Sequence, residues 1–339
     1  MAKQPTLAPQ LIWHPLLGEW MIHAPGRMNR REGASECAFC ADVHLGKVPP
    51  EASAWARPND FPPLMPPLGE AYIIIYSREH EQTFVALSPK QVREVVRVWQ
   101  QLYTDLAARY ACVMIFENSG AEIGQTQRHP HGQAYAVSQI PDHLARELAA
   151  AEREAHAGHG CVFCNILARE LAEGNTPARE QREDSAGEDR QVPEGNRVVL
   201  QTMHWMGFIP PYARFPYEVH LYPRRHLPDL AALRDEERDE LGPVLLKIVR
   251  AYHALQGGSL APMPYMLGLH QLAHAQFHLH LELLPTRRAP GKLKLPASAE
   301  TAFGLWSNES LPEEKAAELR AALVMLDTLP STGSDTSFS

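Results

Sequence analysis

The sequence contains an internal repeat, in which the same features occur in the same order in both halves. Each half has a Cys-x-x-Cys pair, an apolar run that ends at a histidine, a helical segment, another apolar run and a His-x-His pair. The histidine after the first run precedes the His-x-His pair by 49 residues in one half (His80 to His129) and by 52 in the other (His226 to His278). Chance would not supply five matching features in one order, so the sequence predicts a duplicated module.

The segments between these features have the patterns of helices and strands. Ser88, Pro89 and Gln91 predict a helix start, with a capping serine, a proline in the first turn and a glutamine that completes a capping box. Apolar residues at helical spacing follow over 92–106, and the second half repeats them over 241–252. Shorter apolar or alternating runs predict strands and span 72–76, 112–116, 133–137 and 278–284. The sequence therefore predicts an α+β fold.

The repeat divides the chain into two modules. We predict an N-terminal module over residues 1–150 and a C-terminal module over 151–330. The stretch 173–196 is polar and charged throughout, so it is predicted to be a flexible surface insertion without a role in the site. The tail 331–339 is predicted to be disordered.

Composition and charge restrict the class of protein. With 45% hydrophobic and 21% charged residues, the chain is typical of globular proteins. A net charge of −8 without a Lys/Arg-rich run argues against nucleic-acid binding. No apolar stretch reaches the roughly 20 residues that span a bilayer, and the N-terminus lacks the apolar core of a signal peptide. We therefore expect a cytoplasmic protein that binds neither membranes nor nucleic acid.

Four of the five cysteines form two Cys-x-x-Cys pairs. An odd count argues against a complete disulfide framework, and in a reducing cytosol such pairs near histidines predict metal sites. Cys112 lies in an apolar run and is expected to be a buried core thiol. In the first half, two thiolates and two imidazoles would give Zn²⁺ a closed tetrahedral shell, which is typical of a structural site. This first set is Cys37, Cys40, His80 and His129.

The second half offers two alternative ligand sets for a second metal. The set equivalent by the repeat is Cys161, Cys164, His226 and His278. A competing set has oxygen and nitrogen donors, which would accept Fe²⁺ or Zn²⁺. That set is Glu147, His270, His278 and His280. His278 occurs in both sets, so the sequence leaves the choice open, although the repeat favours the set with the cysteines.

The segment His-Pro-His-Gly-Gln at 129–133 has the composition of a site that reacts with phosphate. His129 and His131 are two residues apart on an extended segment, so their side chains project to the same side. A neutral imidazole at His131 is a good nucleophile near pH 7, and Gln133 brings an amide donor beside it. Gly132 is expected to let a ligand approach the backbone closely. We predict that His131 and Gln133 are catalytic, while metal binding at His129 holds the strand in place.

These residues resemble those of the galactose-1-phosphate uridylyltransferases, two-repeat members of the histidine-triad superfamily. The likeness covers nearly the whole chain, and its most specific part is Phe-Glu-Asn-x-Gly at 116–120 followed by His-Pro-His-Gly-Gln at 129–133. Other similar segments are 14–20, 24–30, 58–62 and 215–218. The resemblance implies a duplicated histidine-triad-like module with antiparallel sheets flanked by helices. It also implies a homodimer whose active sites are shared across the interface.

The resemblance further implies a nucleotidyltransferase of galactose metabolism that exchanges UMP between UDP-glucose and galactose 1-phosphate. In a ping-pong mechanism, His131 would attack the α-phosphorus of UDP-glucose, and the uridylyl-histidine would then pass UMP to galactose 1-phosphate. Gln133 would donate to the phosphoryl oxygens. The substrate contacts implied by the resemblance are Arg27, Arg30, Asn59, Asp60, Asn118, Gly124 and Thr126.

Two other functions are compatible with the sequence. The same scaffold serves nucleotide-sugar phosphorylases, which transfer an adenylyl group to phosphate. A non-catalytic, zinc-stabilised nucleotide-binding module belongs to a different class. The pair His131 and Gln133 argues against this last function, because a binding protein has no need of a nucleophile there. Turnover on a panel of nucleotide sugars distinguishes the three.

Overall fold

The computed structural model describes residues 8–25, 27, 37–125, 127–174, 195–256, 263–289 and 291–328. Within these ranges the chain forms thirteen strands and seven α-helices. The strands are β1 (Gln10–His14), β2 (Glu19–His23), β3 (Trp55–Pro58), β4 (Gly69–Ile75), β5 (Cys112–Ser119), β6 (His131–Val137), β7 (Val198–Gln201), β8 (Trp205–Phe208), β9 (Val219–Pro223), β10 (Tyr265–His270), β11 (His280–Pro285), β12 (Arg287–Ala289) and β13 (Lys292–Leu293). The helices are α1 (Ala38–His44), α2 (Pro89–Ala107), α3 (Asp142–His156), α4 (Val162–Gly174), α5 (Asp235–Ala254), α6 (Ser298–Phe303) and α7 (Pro312–Thr328).

One large sheet contains nine strands in the order β3-β4-β6-β5-β10-β11-β9-β8-β7, with all neighbours antiparallel. β5 and β10 join the two halves of the chain, with Ile115 opposite Leu269 and Ser119 opposite Tyr265. On either side of this junction, the order β5-β6-β4-β3 is matched by β10-β11-β9-β8. The predicted α+β fold with a duplicated antiparallel module is therefore confirmed. The two halves nevertheless share one continuous sheet instead of forming separate sheets.

The predicted helix start and strands are present with small shifts at their ends. α2 begins at Pro89, and the Ser88 hydroxyl accepts a hydrogen bond from the backbone N–H of Gln91 at 3.2 Å. The Gln91 side chain in turn accepts from the backbone N–H of Ser88 at 2.9 Å, which completes the capping box. β4 and β5 are longer than the predicted runs, while β11 begins at His280.

α2 and α5 pack side by side over one face of the sheet and form the main core with it. Trp99 of α2 and Tyr252 of α5 are fully buried there. The two helices approach closely at Gly242, where a Cβ atom would lie 2.9 Å from the backbone of Val92. A larger residue at position 242 would therefore force the helices apart.

The opposite face is covered differently in the two halves. α3 and α4 contribute to a second apolar cluster on this face, which buries Phe163, Phe208 and Phe277 of the second half together with Cys112 and Val137 of the first. Over β4 of the first half lies the short helix α1, which packs Phe39 against Ile73. A cavity remains on this face beside α1, because a seven-residue helix covers less of the sheet than α3 and α4 do.

Some predicted features lie wholly or partly outside the described residues. These are the tail 331–339 and, within the predicted insertion, residues 175–194. Glu173 and Gly174, which were predicted to be part of the flexible insertion, form the end of α4 instead. The Glu173 carboxylate accepts a hydrogen bond from Arg197, so this part of the predicted insertion is helical and paired.

Three further predictions concern the domain division, membrane-spanning helices and Cys112. The division between residues 150 and 151 falls within α3, and it stays a prediction. Among the described residues, no helix is long and apolar enough to cross a membrane. The expected burial of Cys112 is confirmed, since its side chain lies in the second apolar cluster.

Candidate active site

β6 presents alternate side chains to the cavity and to the core. It lies between β4 and β5, with Gln133 opposite Ile73 on one side and Phe116 on the other. Because side chains alternate along a strand, His131, Gln133 and Tyr135 share the cavity face. The same extended segment that was predicted from the sequence therefore carries both proposed catalytic side chains.

The Cα of Gly132 packs against a buried tyrosine on the core side of β6. A Cβ atom at this position would lie 2.1 Å from the Tyr76 hydroxyl, which is fully buried behind β6. Packing against Tyr76 therefore explains this glycine. The missing side chain thus faces the core and not the cavity that His131 and Gln133 line, while the expected close approach of a ligand to the backbone at Gly132 stays a prediction.

The backbone beside His131 determines its tautomer. Its Nδ1 lies 2.8 Å from the carbonyl oxygen of His129. A carbonyl oxygen only accepts, so Nδ1 carries the proton and donates. The lone pair is then on Nε2, the nitrogen at the far end of the ring. Any positive charge that develops on this imidazole is stabilised through the same hydrogen bond.

The cavity has a volume of about 240 Å³ and a mixed polar and apolar lining. Its lining includes six of the predicted catalytic and substrate-binding residues, namely Arg27, Asn59, Asn118, Gly124, His131 and Gln133. The structure thus brings together residues that are distant in the sequence. Arg27 also reaches towards β6, with its Nη1 atom 3.5 Å from the Tyr135 hydroxyl.

Of the other three predicted substrate contacts, one does not line the cavity and two lie outside the described residues. Asp60 is absent from the cavity lining, and its carboxylate accepts a hydrogen bond from Arg57 at 2.6 Å. Arg30 and Thr126 lie outside the described residues. Among the contacts that do line the cavity, Asn59 also stabilises a turn, since its side-chain oxygen accepts from the backbone N–H of Phe61 at 2.9 Å.

Six further residues line the cavity and were missed by the sequence analysis. They are Phe39, Ile73, Phe116, Gln125, Gln127 and Tyr135. Tyr135 could have been found, because it continues the alternation of His131 and Gln133 along one strand. Phe116 and Ile73 follow only from the strand register, which the sequence does not contain.

Phe39 connects the first cysteine pair with the catalytic segment. It lies between the two cysteines, and its ring centroid is 5.5 Å from that of His129 and 5.4 Å from that of His131. The short helix α1 therefore places one aromatic ring against both histidines.

The first predicted metal set is brought together in a geometry that fits zinc. The Sγ atoms of Cys37 and Cys40 lie 3.7 and 3.6 Å from His129 Nδ1, and Cys40 Sγ lies 3.5 Å from His80 Nδ1. A tetrahedral zinc ion with Zn–S of about 2.3 Å and Zn–N of about 2.0 Å holds sulfur and nitrogen ligands about 3.6 Å apart. His129 Nε2 donates to the Ser77 carbonyl oxygen at 2.8 Å, which leaves Nδ1 for the metal.

Burial also favours the metal-binding form of His129. Burial lowers the pKa of this imidazole, and the neighbouring His80 lowers it further. A neutral imidazole is the form that binds a metal. The donor types and separations of this set, together with the neutral form of His129, fit a zinc ion.

The second cysteine pair has the same arrangement. Cys164 Sγ lies 3.4 Å from His226 Nδ1 and 3.6 Å from His278 Nδ1. His278 Nε2 donates to the Pro223 carbonyl oxygen at 3.1 Å, and His226 Nε2 donates to that of Ala275 at 2.9 Å. Potential ligand atoms of Cys161, Cys164, His226 and His278 lie within 4.8 Å of one another.

The competing ligand set is also assembled, but with a different fourth member. Potential ligand atoms of Glu147, His270, His280 and Glu282 lie within 4.8 Å of one another. His278 is grouped with the cysteines, so Glu282 occupies the fourth position that was predicted for His278. The two sets therefore share no residue. The prediction that they compete for His278 is wrong, and both sets are assembled at once.

This Glu/His cluster occupies the second-half counterpart of the cavity. His280 and Glu282 on β11 correspond to His131 and Gln133 on β6, and His280 Nδ1 likewise donates to the carbonyl oxygen of its preceding His-x-His partner at 2.9 Å. His220 stands opposite Glu282, at the place where Ile73 stands opposite Gln133. Polar side chains thus fill the space that is open in the first half.

Burial and neighbouring charges shift the pKa values of several groups in this cluster. Burial would raise the pKa of Glu282, but the charges of His220, His270 and Arg214 lower it to about 2. Burial and the neighbouring His270 lower the pKa of His280 to about 3, so this imidazole is neutral. Burial opposes a charge on His270 as well, although hydrogen bonding to Glu147 at 3.0 Å raises its pKa.

Models of known protein families match both halves of the chain. The model described as galactose-1-phosphate uridyl transferase, N-terminal domain, matches residues 50–141. The one described as the C-terminal domain of galactose-1-phosphate uridyl transferase matches residues 180–291. The chain is 30% identical to the galactose-1-phosphate uridylyltransferase of Thermotoga maritima, over 92% of this chain and 98% of that protein. It is 31% identical to the enzyme of the same name from Streptomyces lividans, over 90% of this chain and 84% of that protein.

Solved structures share the fold. A structure described as a uridylyltransferase superposes with a TM-score of 0.77 at 27% identity, covering 93% of this chain and 99% of that one. An ADP-glucose phosphorylase from Arabidopsis thaliana with bound ADP-glucose superposes with a TM-score of 0.68, covering 92% of this chain and 99% of that one. At 19% identity, this second likeness concerns the fold alone.

Proposed function

Because the chain belongs to the galactose-1-phosphate uridylyltransferase family, we propose that it exchanges UMP between UDP-glucose and galactose 1-phosphate through a uridylyl group on His131. The observation that carries this proposal is the joint placement of His131, Gln133 and Arg27 around one cavity. A nucleophile, an amide donor and a guanidinium are the groups that phosphoryl transfer requires. The substrates are a nucleotide sugar and a sugar phosphate.

In the first half-reaction, His131 Nε2 attacks the α-phosphorus of UDP-glucose. The bond between the α-phosphorus and the bridging oxygen breaks, and its electron pair leaves with glucose 1-phosphate. Nδ1 keeps its proton, and its N–H stays hydrogen-bonded to the His129 carbonyl oxygen. This hydrogen bond stabilises the positive charge on the uridylylated imidazole. The covalent intermediate divides one displacement into two easier steps.

In the second half-reaction, a phosphate oxygen of galactose 1-phosphate attacks the same phosphorus. The P–N bond breaks, its electron pair returns to His131 Nε2, and UDP-galactose leaves. Gln133 donates to the phosphoryl oxygens in both steps, as charge develops on them. Arg27 offers positive charge to the phosphates, while Asn118, Gly124 and Asn59 contribute to the rest of the substrate site. We keep Arg30, Thr126 and Asp60 as proposed substrate contacts.

We also propose that both Cys₂His₂ sets hold structural Zn²⁺. The sulfur–nitrogen separations and the carbonyl partners of the imidazole Nε2 atoms support this in each half. A bound ion there would anchor His129, two residues before His131, without taking part in the transfer. The Glu/His cluster has donors suited to Zn²⁺ or Fe²⁺, and a third equivalent of metal per chain in the purified protein would assign an ion to it.

The central experiment is labelling of the intermediate. Incubation with UDP-glucose that is radiolabelled at the α-phosphate is expected to give acid-labile label on His131, which galactose 1-phosphate releases as UDP-galactose. The His131→Gly variant should lose label and lower the exchange rate by at least about 10³-fold, because the nucleophile is removed. His274→Gly, at a histidine outside the cavity lining, is the matched control and should keep both.

Three outcomes would contradict the proposal. Normal exchange by His131→Gly would exclude this residue as the nucleophile. Labelling by ADP-glucose and release by inorganic phosphate, with neither reaction for the uridine pair, would identify a phosphorylase. Binding of nucleotide sugars without any label or exchange would identify a non-catalytic binding module.

The assembly and the compartment complete the proposal. We infer that the protein forms a homodimer, because the hairpin of β1 and β2 carries exposed apolar side chains on a two-stranded sheet. We expect it to act in the cytoplasm, where reduced cysteines are available to bind metal. Fractionation of the source cells would test this, and recovery with an oxidising compartment would contradict it.

A further inference from the structure

Tyr135 is the third side chain that β6 presents to the cavity, two residues beyond Gln133. Its ring contacts the Phe116 ring edge to face, with centroids 4.8 Å apart. The residue is half-buried, so part of its side chain faces the open cavity. Ring packing therefore holds the phenol in place, and the hydroxyl is available for polar contacts in the cavity.

The Tyr135 hydroxyl connects Arg27 with Gln133. Arg27 Nη1 lies 3.5 Å from this hydroxyl, and the hydroxyl lies 3.3 Å from Gln133 Oε1. A guanidinium can only donate, so Arg27 donates to the hydroxyl oxygen and the hydroxyl proton is directed to Gln133 Oε1. Both separations are long, as is common for groups in an active site before the substrate binds.

This connection bears on the chemistry because an amide has a donor end and an acceptor end. The oxygens of a phosphoryl group that undergoes transfer are acceptors, so they require Nε2 of Gln133 and repel Oε1. A free glutamine side chain can adopt either orientation at similar cost. Because Arg27 already donates to the hydroxyl oxygen, the hydroxyl favours the acceptor end of the amide and so disfavours the unproductive orientation.

We propose that Tyr135 is a positioning residue that holds the Gln133 amide with its nitrogen towards the α-phosphoryl group of the substrate. The positive charge of Arg27 polarises the hydroxyl and thereby strengthens its bond to Gln133. This inference rests on the proposed function, since it assigns to Tyr135 a task in the two displacements at His131. It adds to the site a residue that touches neither reacting atom.

The test uses Tyr135→Phe, which removes the hydroxyl and keeps the ring against Phe116. We expect kcat for UMP exchange to fall about tenfold, because Gln133 then donates in only part of the complexes. KM for UDP-glucose should change less than threefold, because the donation is strongest in the transition state. Single-turnover release of glucose 1-phosphate measures the same loss in the first half-reaction alone.

A double-mutant cycle separates positioning from a structural role. In the Gln133→Ala protein, adding Tyr135→Phe should lower kcat less than twofold, because there is no amide left to orient. A kcat of Tyr135→Phe within twofold of wild type would overturn the proposal, and so would a tenfold loss in both backgrounds. Failure of Tyr135→Phe to fold with wild-type metal content would also overturn it, since the hydroxyl would then have a structural role.

Measurements on the wild-type protein distinguish a failure of this inference from a failure of the proposed function. Label on His131 and exchange with galactose 1-phosphate by the wild type establish the function, whatever Tyr135→Phe does. Absence of both from the wild type would refute the proposed function and, with it, the role assigned to Tyr135.

Discussion

At the scale of single residues, one buried carboxyl beside the cavity makes the stability of the protein depend on pH. Glu117 is buried on the core side of β5, next to the cavity residues Phe116 and Asn118. It accepts a hydrogen bond from the Tyr265 hydroxyl of the second half at 2.8 Å. Burial raises the pKa of this carboxyl from 4.5 to about 7, although the hydroxyls of Tyr265 and Tyr76 oppose the rise.

The raised pKa makes stability depend on pH in a definite direction. The folded protein favours protonated Glu117, so the contribution of this group to the free energy of unfolding is full below pH 4.5 and decreases as the pH rises to about 7. Since one pKa unit corresponds to about 1.4 kcal/mol, the decrease is on the order of 3 kcal/mol. Glu117→Gln, which stays neutral, should therefore gain stability relative to wild type between pH 5 and pH 8, as measured by urea unfolding.

The comparison of two proteins at each pH removes contributions that both share, including those of the metal sites. Glu236→Gln, at an exposed position in the first turn of α5, is the matched control, and its difference from wild type should stay nearly constant. A difference between Glu117→Gln and wild type that is equal at pH 5 and pH 8 would contradict the raised pKa.

At the scale of elements, α1 and the segment that leads into β6 depend on each other. α1 spans seven residues, too few for a stable isolated helix, and Cys37 at its start makes no side-chain capping hydrogen bond. The cysteines on either side of Phe39 instead face His80 and His129. A bound zinc ion would therefore hold α1 to the strand that carries the proposed nucleophile.

Loss of one ligand should separate these elements. Cys37→Ser is expected to contain one metal ion fewer per chain than wild type, by elemental analysis, and to unfold at a lower temperature. We expect kcat to fall up to about a hundredfold, because a displacement of the nucleophile by about 1 Å can cost this much. Cys112→Ala, at a buried thiol that belongs to neither set, is the control and should keep the wild-type metal content. Equal metal content in Cys37→Ser and wild type would refute the first metal site.

At the scale of the whole molecule, the two copies of the duplicated module use the same face of the sheet differently. The sheet is continuous through β5 and β10, and Glu117 and Tyr265 bond across this junction. In the first half, the face of the sheet beside α1 keeps an open cavity. In the second half, His220, His270 and Glu282 fill the equivalent space. One half therefore has room for a substrate, and the other contributes a rigid polar core.

The hairpin of β1 and β2 stands apart from this sheet and leads to a prediction about assembly. Leu16 and Leu17 at its tip are 89% and 60% exposed, and Trp13 and Trp20 beside them are also exposed. Covering these side chains with a second copy would remove apolar surface from water. We expect a dimer by light scattering of the wild type, and a shift towards monomer for Leu16→Lys with Leu17→Lys. A monomeric wild type would refute the dimer, and an unchanged dimer in the variant would exclude this hairpin as its interface.

The spacing and chemistry of short segments were sufficient for much of this description. The duplicated order of cysteines, histidines and apolar runs predicted the α+β module and the first Cys₂His₂ group and favoured the second, because each depends on a few residues with strong local signals. The extended segment 129–133 predicted that Gln133 brings its amide beside His131, and side-chain alternation along β6 places both on the cavity face.

Long-range pairing decided the rest. The register of β4 and β5 against β6 put Ile73 and Phe116 into the cavity. It also put Tyr76 behind Gly132, which gives that glycine a packing role that the sequence did not indicate. The same kind of pairing assigned His278 to the cysteines and Glu282 to the other cluster. Distances between residues that are far apart in the chain depend on how strands and helices pack, and no local pattern encodes them.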